Sequence, residues 1–338
     1  MVIVLKNNTP VEKLVDLFDC VKSLGLECDL RRKDGKYVIN AIGDLPLNEV
    51  ENVRLFDFVE SVDCGCEPFK KVNRYENGDT IVDVGGRKFG GENFQIIAGP
   101  CSVESEKQVI EIARAVKKAG ATLLRGGAFK PRTSPYAFQG LKETGIEYLL
   151  KAKEETGLPV VSEIMSVKHV DLFKDIDLLQ IGARDMQNFE LLKEVGKTGK
   201  PVLLKRGFAN TIEEWLLSAE YLMSEGTSHI ILCERGIRTF EKYTRYTLDI
   251  SSVPILKKLT HLPVIVDPSH ASGINYMVKP LSLASVGAGA DGLMLEVHYS
   301  PSEAFSDGAQ SIKPDELKEI VQTVNRMLPI AGKQVYRF

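Results

Sequence analysis

Residues 94–101 read Phe94-Gln95-Ile96-Ile97-Ala98-Gly99-Pro100-Cys101, a continuously apolar run that closes on Gly, Pro and Cys before an amphipathic stretch begins near residue 107. The same pattern recurs to the end of the chain: TLLRGGA at 122–128, PVVSEI at 159–164, LLQIGA at 178–183, PVLLKRG at 201–207, HIILCERG at 229–236, PVIVDPSH at 263–270 and GLMLEVHY at 292–299. A short run that is apolar at every position predicts a strand buried on both faces, which is the habit of parallel sheets. Helical spacing follows the runs. Over 107–119, Val109, Ile112, Ala113 and Val116 make one stripe, and Gly120 is placed to end it. Eight strand–helix units over residues 94–338 match a closed TIM (β/α)8 barrel; an open doubly wound sheet would not need eight.

Ahead of the barrel the text changes. Val2–Leu5 is a short β-type run, and Thr9-Pro10-Val11-Glu12 offers a capping Thr, a Pro at the first helical position and a Glu three residues after the cap. The helix expected there has Val11, Leu14, Val15, Phe18 and Val21 on its apolar stripe and Gly25 at its end. Strands follow at 27–30 and 37–42 around the turn Lys33-Asp34-Gly35, then a helix from Leu47 to about Phe56 and a strand near Val59–Val62. The order βαββαβ predicts a small α+β ferredoxin-like domain over residues 1–65. Residues 66–93 read as a linker with a hairpin near Gly85-Gly86, and 94–338 as the barrel.

Composition narrows the function. Hydrophobic residues are 43% and charged residues 26% of the 338, an ordinary globular balance. Lys+Arg 43 against Asp+Glu 46 leaves a net charge of -3, which shows no footprint for nucleic acid or an anionic membrane. No apolar run approaches the ~18 residues that span a bilayer, and Met1–Leu5 lacks the basic start of a signal peptide, so a cytoplasmic enzyme of small molecules is expected. Six cysteines do not make a disulfide scaffold in a reducing compartment. Cys64-Gly65-Cys66 has no second Cys or His pair nearby, and Cys20 and Cys28 read as core and edge positions of the small domain.

Barrel enzymes place their chemistry at the C-terminal ends of the strands. Here those ends carry Cys101; Arg125, with Lys130 and Arg132 beyond it; Glu163; Arg184 with Asp185; Lys205 with Arg206; Glu234 with Arg235; Asp267 with His270; and Glu296 with His298. So many cations on one rim repel one another unless anions sit among them, which predicts a polyanionic ligand. The alternative is a structural ring in which they pair with Glu163, Glu234 and Asp267. Cys101, His270, Glu296 and Asp307 form a candidate metal set, because thiolate, imidazole and two carboxylates suit Mn, Fe, Co or Zn. They come from the first, seventh and eighth strands, which a closed barrel makes neighbours. His298 lies two residues beyond Glu296 and reads either as support for the set or as packing; His169, His229 and His261 read as structural or surface residues.

Gly99-Pro100-Cys101-Ser102, Lys130-Pro131-Arg132-Thr133-Ser134, Ile181-Gly182-Ala183-Arg184 and Asp267-Pro268-Ser269-His270, taken in order, resemble the metal-dependent 3-deoxy-D-arabino-heptulosonate 7-phosphate (DAHP) synthases. The resemblance covers residues 94–335. Related 3-deoxy-manno-octulosonate 8-phosphate synthases typically carry Lys-Ala-Asn-Arg where this chain has Lys-Pro-Arg-Thr, so Pro131-Arg132-Thr133 point to erythrose 4-phosphate as the aldehyde. The resemblance implies a transferase of the shikimate pathway that condenses phosphoenolpyruvate with erythrose 4-phosphate and water. It puts one divalent metal on Cys101, His270, Glu296 and Asp307. It puts Arg125 and Lys130 on the phosphoenolpyruvate carboxylate, Ala183, Arg184, Lys205 and Arg235 at its phosphate, and Arg132 and Thr133 on the aldehyde's phosphate. Lys130, Glu163 and His270 are the implied catalytic residues, Lys130 as proton donor to the alkoxide and Glu163 as the group that orients or deprotonates water. The small domain resembles the regulatory domain through which phenylalanine or tyrosine inhibits some members, and a homotetramer is implied. Rival readings are another phosphoenolpyruvate–aldose condensing enzyme, a Schiff-base aldolase using Lys205, and a catalytically silent amino-acid sensor.

Overall fold

A computed structural model describes residues 1–33, 35–42, 47–63, 68–74, 78–131, 134 and 136–334. The chain divides into two compact units, Met1–Pro68 and Phe69–Phe338.

In the first unit β1 (Val2–Leu5), α1 (Val11–Ser23), β2 (Glu27–Lys33), β3 (Lys36–Ile42), α2 (Leu47–Arg54) and β4 (Val59–Asp63) follow in the expected order. They build one antiparallel sheet of order β2-β3-β1-β4, with Ile3 opposite both Ile39 and Val62. Its small core joins Ile3, Leu5, Leu14, Leu17, Val21, Leu26, Ile39, Val53 and Val62. Two local expectations fail. Thr9 does not cap α1: its hydroxyl donates to the Lys6 carbonyl at 2.7 Å, and Pro10 stands at the cap without a side-chain bond. The buried stripe is Leu14, Leu17 and Val21, while Val11 and Val15 are exposed, because the sheet covers a face turned away from the first of the apolar positions.

The second unit opens with a hairpin, β5 (Val82–Val84) and β6 (Arg87–Phe89). Eight parallel strands then close into a barrel: β7 (Gln95–Gly99), β8 (Leu123–Arg125), β9 (Val160–Glu163), β10 (Leu178–Ile181), β11 (Val202–Lys205), β12 (Ile230–Glu234), β13 (Val264–Val266) and β14 (Gly292–Glu296). Each falls inside one of the eight apolar runs, and β7 closes the ring between β8 and β14. The helices are α3 (Glu106–Ala119), α4 (Glu143–Thr156), α5 (Phe189–Lys197), α6 (Ile212–Glu225), α7 (Ser252–Leu259), α8 (Pro268–Ser272), α9 (Asn275–Gly287) and α10 (Pro314–Met327). After β9 the α-helix is replaced by a 3-10 segment at Val167–Phe173.

The interior splits into two layers. Val82, Val84 and Phe89 of the hairpin pack under the inward-facing Ile97, Leu123, Val161, Leu178, Leu203, Ile231, Ile265 and Met294. The hairpin is therefore the floor of the barrel, and Phe69 and Val72 belong to its outer core with the helices; the segment expected to be a linker is mostly barrel. The hairpin plugs one end of the barrel and leaves open the opposite mouth, where the strands' C-terminal ends lie. Among the described residues no helix is long and apolar enough to cross a membrane.

Candidate active site at the barrel mouth

Adjacency of β13, β14 and β7 delivers one residue after another to the same corner. Cys101 follows β7, His270 sits on the short α8 after β13, Glu296 ends β14, and Asp307 lies in the loop beyond it with φ of 50°, a left-handed conformation that Asp tolerates better than most side chains. One ligand atom from each of the four lies within 4.8 Å of the others. Cys101 Sγ is 3.2 Å from Asp307 Oδ2, and His270 Nε2 is 3.2 Å from Glu296 Oε1 and 3.9 Å from Asp307 Oδ2. A tetrahedral site with bonds of roughly 2.1–2.3 Å sets its ligand atoms about 3.4–3.8 Å apart, so the set needs only small shifts to close on an ion.

The donor atoms are presented as a metal requires. His270 Nδ1 is held by Asp267 Oδ2 at 2.7 Å, which fixes the ring tautomer and turns Nε2 toward the cluster. Asp267 is buried, yet His270 and Lys205 hold its carboxyl well below the ordinary range; Lys205 Nζ is 2.5 Å away. Glu296 Oε1 is a buried oxygen without a hydrogen-bond partner, although the Arg125 guanidinium lies 3.1 Å from it. Burial, then the neighbouring Glu296, pushes the Cys101 thiol up to about 12. A protein that buries a thiol among carboxylates leaves it protonated until a cation enters. Two residues not singled out in the sequence complete the arrangement. Gln310 donates through Nε2 to Glu296 Oε2 at 2.5 Å, and Arg245 donates to Asp307 Oδ1 at 2.9 Å and Gln310 Oε1 at 3.1 Å. Arg245 stands in a loop and Gln310 in the 3-10 turn Gly308–Gln310, neither with a periodic pattern, so no sequence signal marked them.

Beside this corner opens a cleft lined by Lys130, Pro131, Glu163, Arg184, Phe208, Arg235, Arg245, His270 and Asp307. The cationic rim has divided into two classes. Arg206 is spanned by Glu234 at 3.1 Å and Asp249 at 2.7 Å, Lys205 is paired with Asp267, and Arg125 with Glu296; the structural-ring alternative holds for Arg206. Among the described residues no carboxylate forms an ion pair with Lys130, Arg184 or Arg235. Lys130 Nζ lies 3.0 Å from both the sulfur and the carbonyl of Cys101. Burial pushes its ammonium down, but Cys101 and Glu163 outweigh this and leave it above the usual lysine value. Glu163 lies against Gly182, where any Cβ would collide with its Oε1, so the Gly makes room for the carboxylate; Ala183 follows in the turn after β10. Arg132 and Thr133 lie outside the described residues, as do Cys64 and Cys66.

His298 does not touch the metal corner. Its Nε2 faces Glu104 at 3.5 Å and its Nδ1 accepts from the Ser300 amide, so it braces the loop beyond β14. His169 stacks on Phe129, and His261 bonds Thr80 and the Lys71 carbonyl; neither is among the described residues that line the cleft.

Residues 79–330 match the DAHP synthetase I family, and residues 1–63 match the DAHP synthase ferredoxin-like domain. The chain is 47% identical over 337 residues to the phospho-2-dehydro-3-deoxyheptonate aldolase of Thermotoga maritima, covering 99% of this chain and 100% of that one. A crystal structure of the Thermotoga maritima DAHP synthase superposes with a TM-score of 0.79 at 46% identity, covering 99% of each chain. The 2-dehydro-3-deoxyphosphooctonate aldolase of Syntrophotalea carbinolica is 34% identical over 262 residues, covering 72% of this chain and 92% of that one.

Proposed function

The chain belongs to the DAHP synthetase I family and is a DAHP synthase, and we propose that the cleft at the barrel mouth is where it condenses phosphoenolpyruvate with erythrose 4-phosphate and water to give DAHP and phosphate. The observation that carries this reading is the meeting of a four-residue metal set, whose His270 and Asp307 line the cleft, with Lys130, Arg184 and Arg235, which pair with no carboxylate among the described residues. Arg125 and Lys130 hold the phosphoenolpyruvate carboxylate. Arg184 and Arg235 take its phosphate, with Lys205 behind them, and Arg132 and Thr133 take the phosphate of the aldehyde. A divalent Mn, Fe, Co or Zn ion on Cys101, His270, Glu296 and Asp307 would act as a Lewis acid toward a carbonyl oxygen.

The reaction joins C3 of phosphoenolpyruvate to the aldehyde carbon, adds water at C2 and breaks the C–O bond to phosphate. Lys130, kept protonated, donates to the alkoxide oxygen, and Glu163 across the cleft orients the water and receives its proton. Incubating the protein with phosphoenolpyruvate and a panel of aldose phosphates tests this. DAHP formed from erythrose 4-phosphate in clear preference supports the reading; preference for a five-carbon aldose phosphate transfers it to the octulosonate branch of the relatives. Borohydride with substrate leaves Lys205 unmodified, because its amine is tied to Asp267.

The described residues that line the cleft all belong to the barrel unit, and the proposed role of the ferredoxin-like unit is to bind phenylalanine or tyrosine as feedback inhibitor. A truncated chain starting at Phe69, the first residue of the barrel core, keeps turnover and ignores both amino acids. A coupling of ordinary size would make the full chain about 5- to 150-fold more responsive; equal sensitivity of the two would place the effector on the barrel.

A further inference from the structure

The cations without carboxylate partners are not loose. Phe208 and Tyr246 stack with ring centroids 5.1 Å apart and planes 8° from parallel. The Arg235 guanidinium lies 4.9 Å from the Phe208 centroid and 4.3 Å from that of Tyr246. Arg184 lies 5.3 Å from the Phe208 centroid, and Arg238 also lies 5.3 Å from it. Arg235 is only 4% exposed, and its Nη1 has no hydrogen-bond partner. The two loops that bring the rings together are pinned by backbone bonds: Arg238 N to Phe208 O at 2.7 Å, Tyr246 N to Ala271 O at 2.9 Å, and a reciprocal pair between Ile237 and Thr247 at 2.9 and 3.0 Å. Gly236, with φ of 89°, lets them close; a Cβ there would stand 2.7 Å from Tyr246 Cβ and 2.9 Å from Ala271 Cα.

A carboxylate partner would neutralise a guanidinium and occupy its in-plane N–H groups, as Glu234 and Asp249 do to Arg206. An aromatic face attracts the cation through the ring quadrupole and contacts the face of the guanidinium, so the donors at its edge stay available. We propose that Phe208 and Tyr246 are positioning residues, an aromatic platform that holds Arg184 and Arg235 in place for the phosphate of an enol phosphate with their charge and donors intact. This rests on the assignment of the cleft to phosphoenolpyruvate.

Both rings are half-buried, Phe208 in the cleft wall and Tyr246 stacked on it, so truncating them leaves the barrel core whole. The test measures steady-state constants, competitive inhibition by inorganic phosphate and metal content for full-length Phe208→Leu and Tyr246→Leu beside Phe208→Tyr and Tyr246→Phe. The Leu variants are expected to raise the KM for phosphoenolpyruvate and the phosphate inhibition constant by about fivefold or more, a size given by desolvated cation–π contacts. The KM for erythrose 4-phosphate and the metal content stay within about twofold, and the conservative variants recover most of the loss. Folded, metal-loaded Leu variants with unchanged phosphoenolpyruvate and phosphate constants overturn the proposal, as do conservative variants as damaged as the Leu ones. Absence of turnover with phosphoenolpyruvate in the unaltered protein is a separate result, and it overturns the cleft assignment instead.

Discussion

The two ends of the cleft are built on opposite electrostatic plans. At one end a thiol, two carboxylates and an imidazole crowd together, with the buried Glu296 oxygen left without a hydrogen bond; at the other, Arg184 and Arg235 lie against aromatic faces with no carboxylate between them. The first end gathers the donor atoms of a metal site, with Arg125, Lys130 and Arg245 beside them, and the second holds cations that pair with no carboxylate among the described residues. A few residues away, Arg206 shows what the same residue types do when nothing is to be bound: two carboxylates close on it and it drops out of the cleft. Arg184 and Arg235, which pair with no carboxylate among the described residues, thus differ from Arg206, which the protein itself neutralises.

Substitutions break this comparison in a graded way. Cys101→Ser and His270→Ala should each reduce turnover to background while the barrel remains folded, since a catalytic ion loses a ligand and the core loses nothing. Stoichiometric metal with full turnover in either variant would contradict the four-ligand assignment. Next comes Arg206→Ala, which strands Glu234 and Asp249. It should cost about 3–5 kcal/mol of stability by denaturant titration and leave both KM values in place. Arg184→Ala should raise the KM for phosphoenolpyruvate, and Arg132→Ala, on the sequence assignment, that for erythrose 4-phosphate, each by about 1.5–3 kcal/mol for a charge-assisted contact. Equal damage to both constants in both variants would remove the division between the two phosphates. The smallest effect is expected for Gln310→Ala, which removes the bond to Glu296 Oε2. About tenfold weaker metal binding, read by competition with a chelating dye, is the size typical of groups that orient a metal ligand.

The barrel was legible because its strands are mostly apolar on both faces, the habit of parallel sheets buried between layers. Helix α3 was readable from its one-sided stripe, with Val109, Ile112, Ala113 and Val116 all buried and Gly120 in the left-handed cap. Pattern reading failed where a choice between faces depends on what packs from outside, as in α1, where Leu17 is buried and Val11 is not. It also failed at Thr9, whose hydroxyl has a carbonyl closer to hand than the helix amides. In the site, residues at strand ends could be found by position, whereas Phe208, Arg245, Tyr246 and Gln310 come from loops and acquire meaning only through contacts remote in sequence. The hairpin's role as barrel floor was hidden likewise, since nothing local distinguishes a plug from a linker.

The most direct test of the account is a metal titration of chelator-stripped protein, followed by turnover with phosphoenolpyruvate and erythrose 4-phosphate at each point. The account predicts one divalent ion per chain and turnover that rises from background in proportion to occupancy. Uptake near pH 7 should release about one proton, because Cys101, held at about 12 without a cation, must become a thiolate to bind one. Full turnover by the metal-free protein, or tight metal uptake with no proton released and no gain in activity, would contradict it.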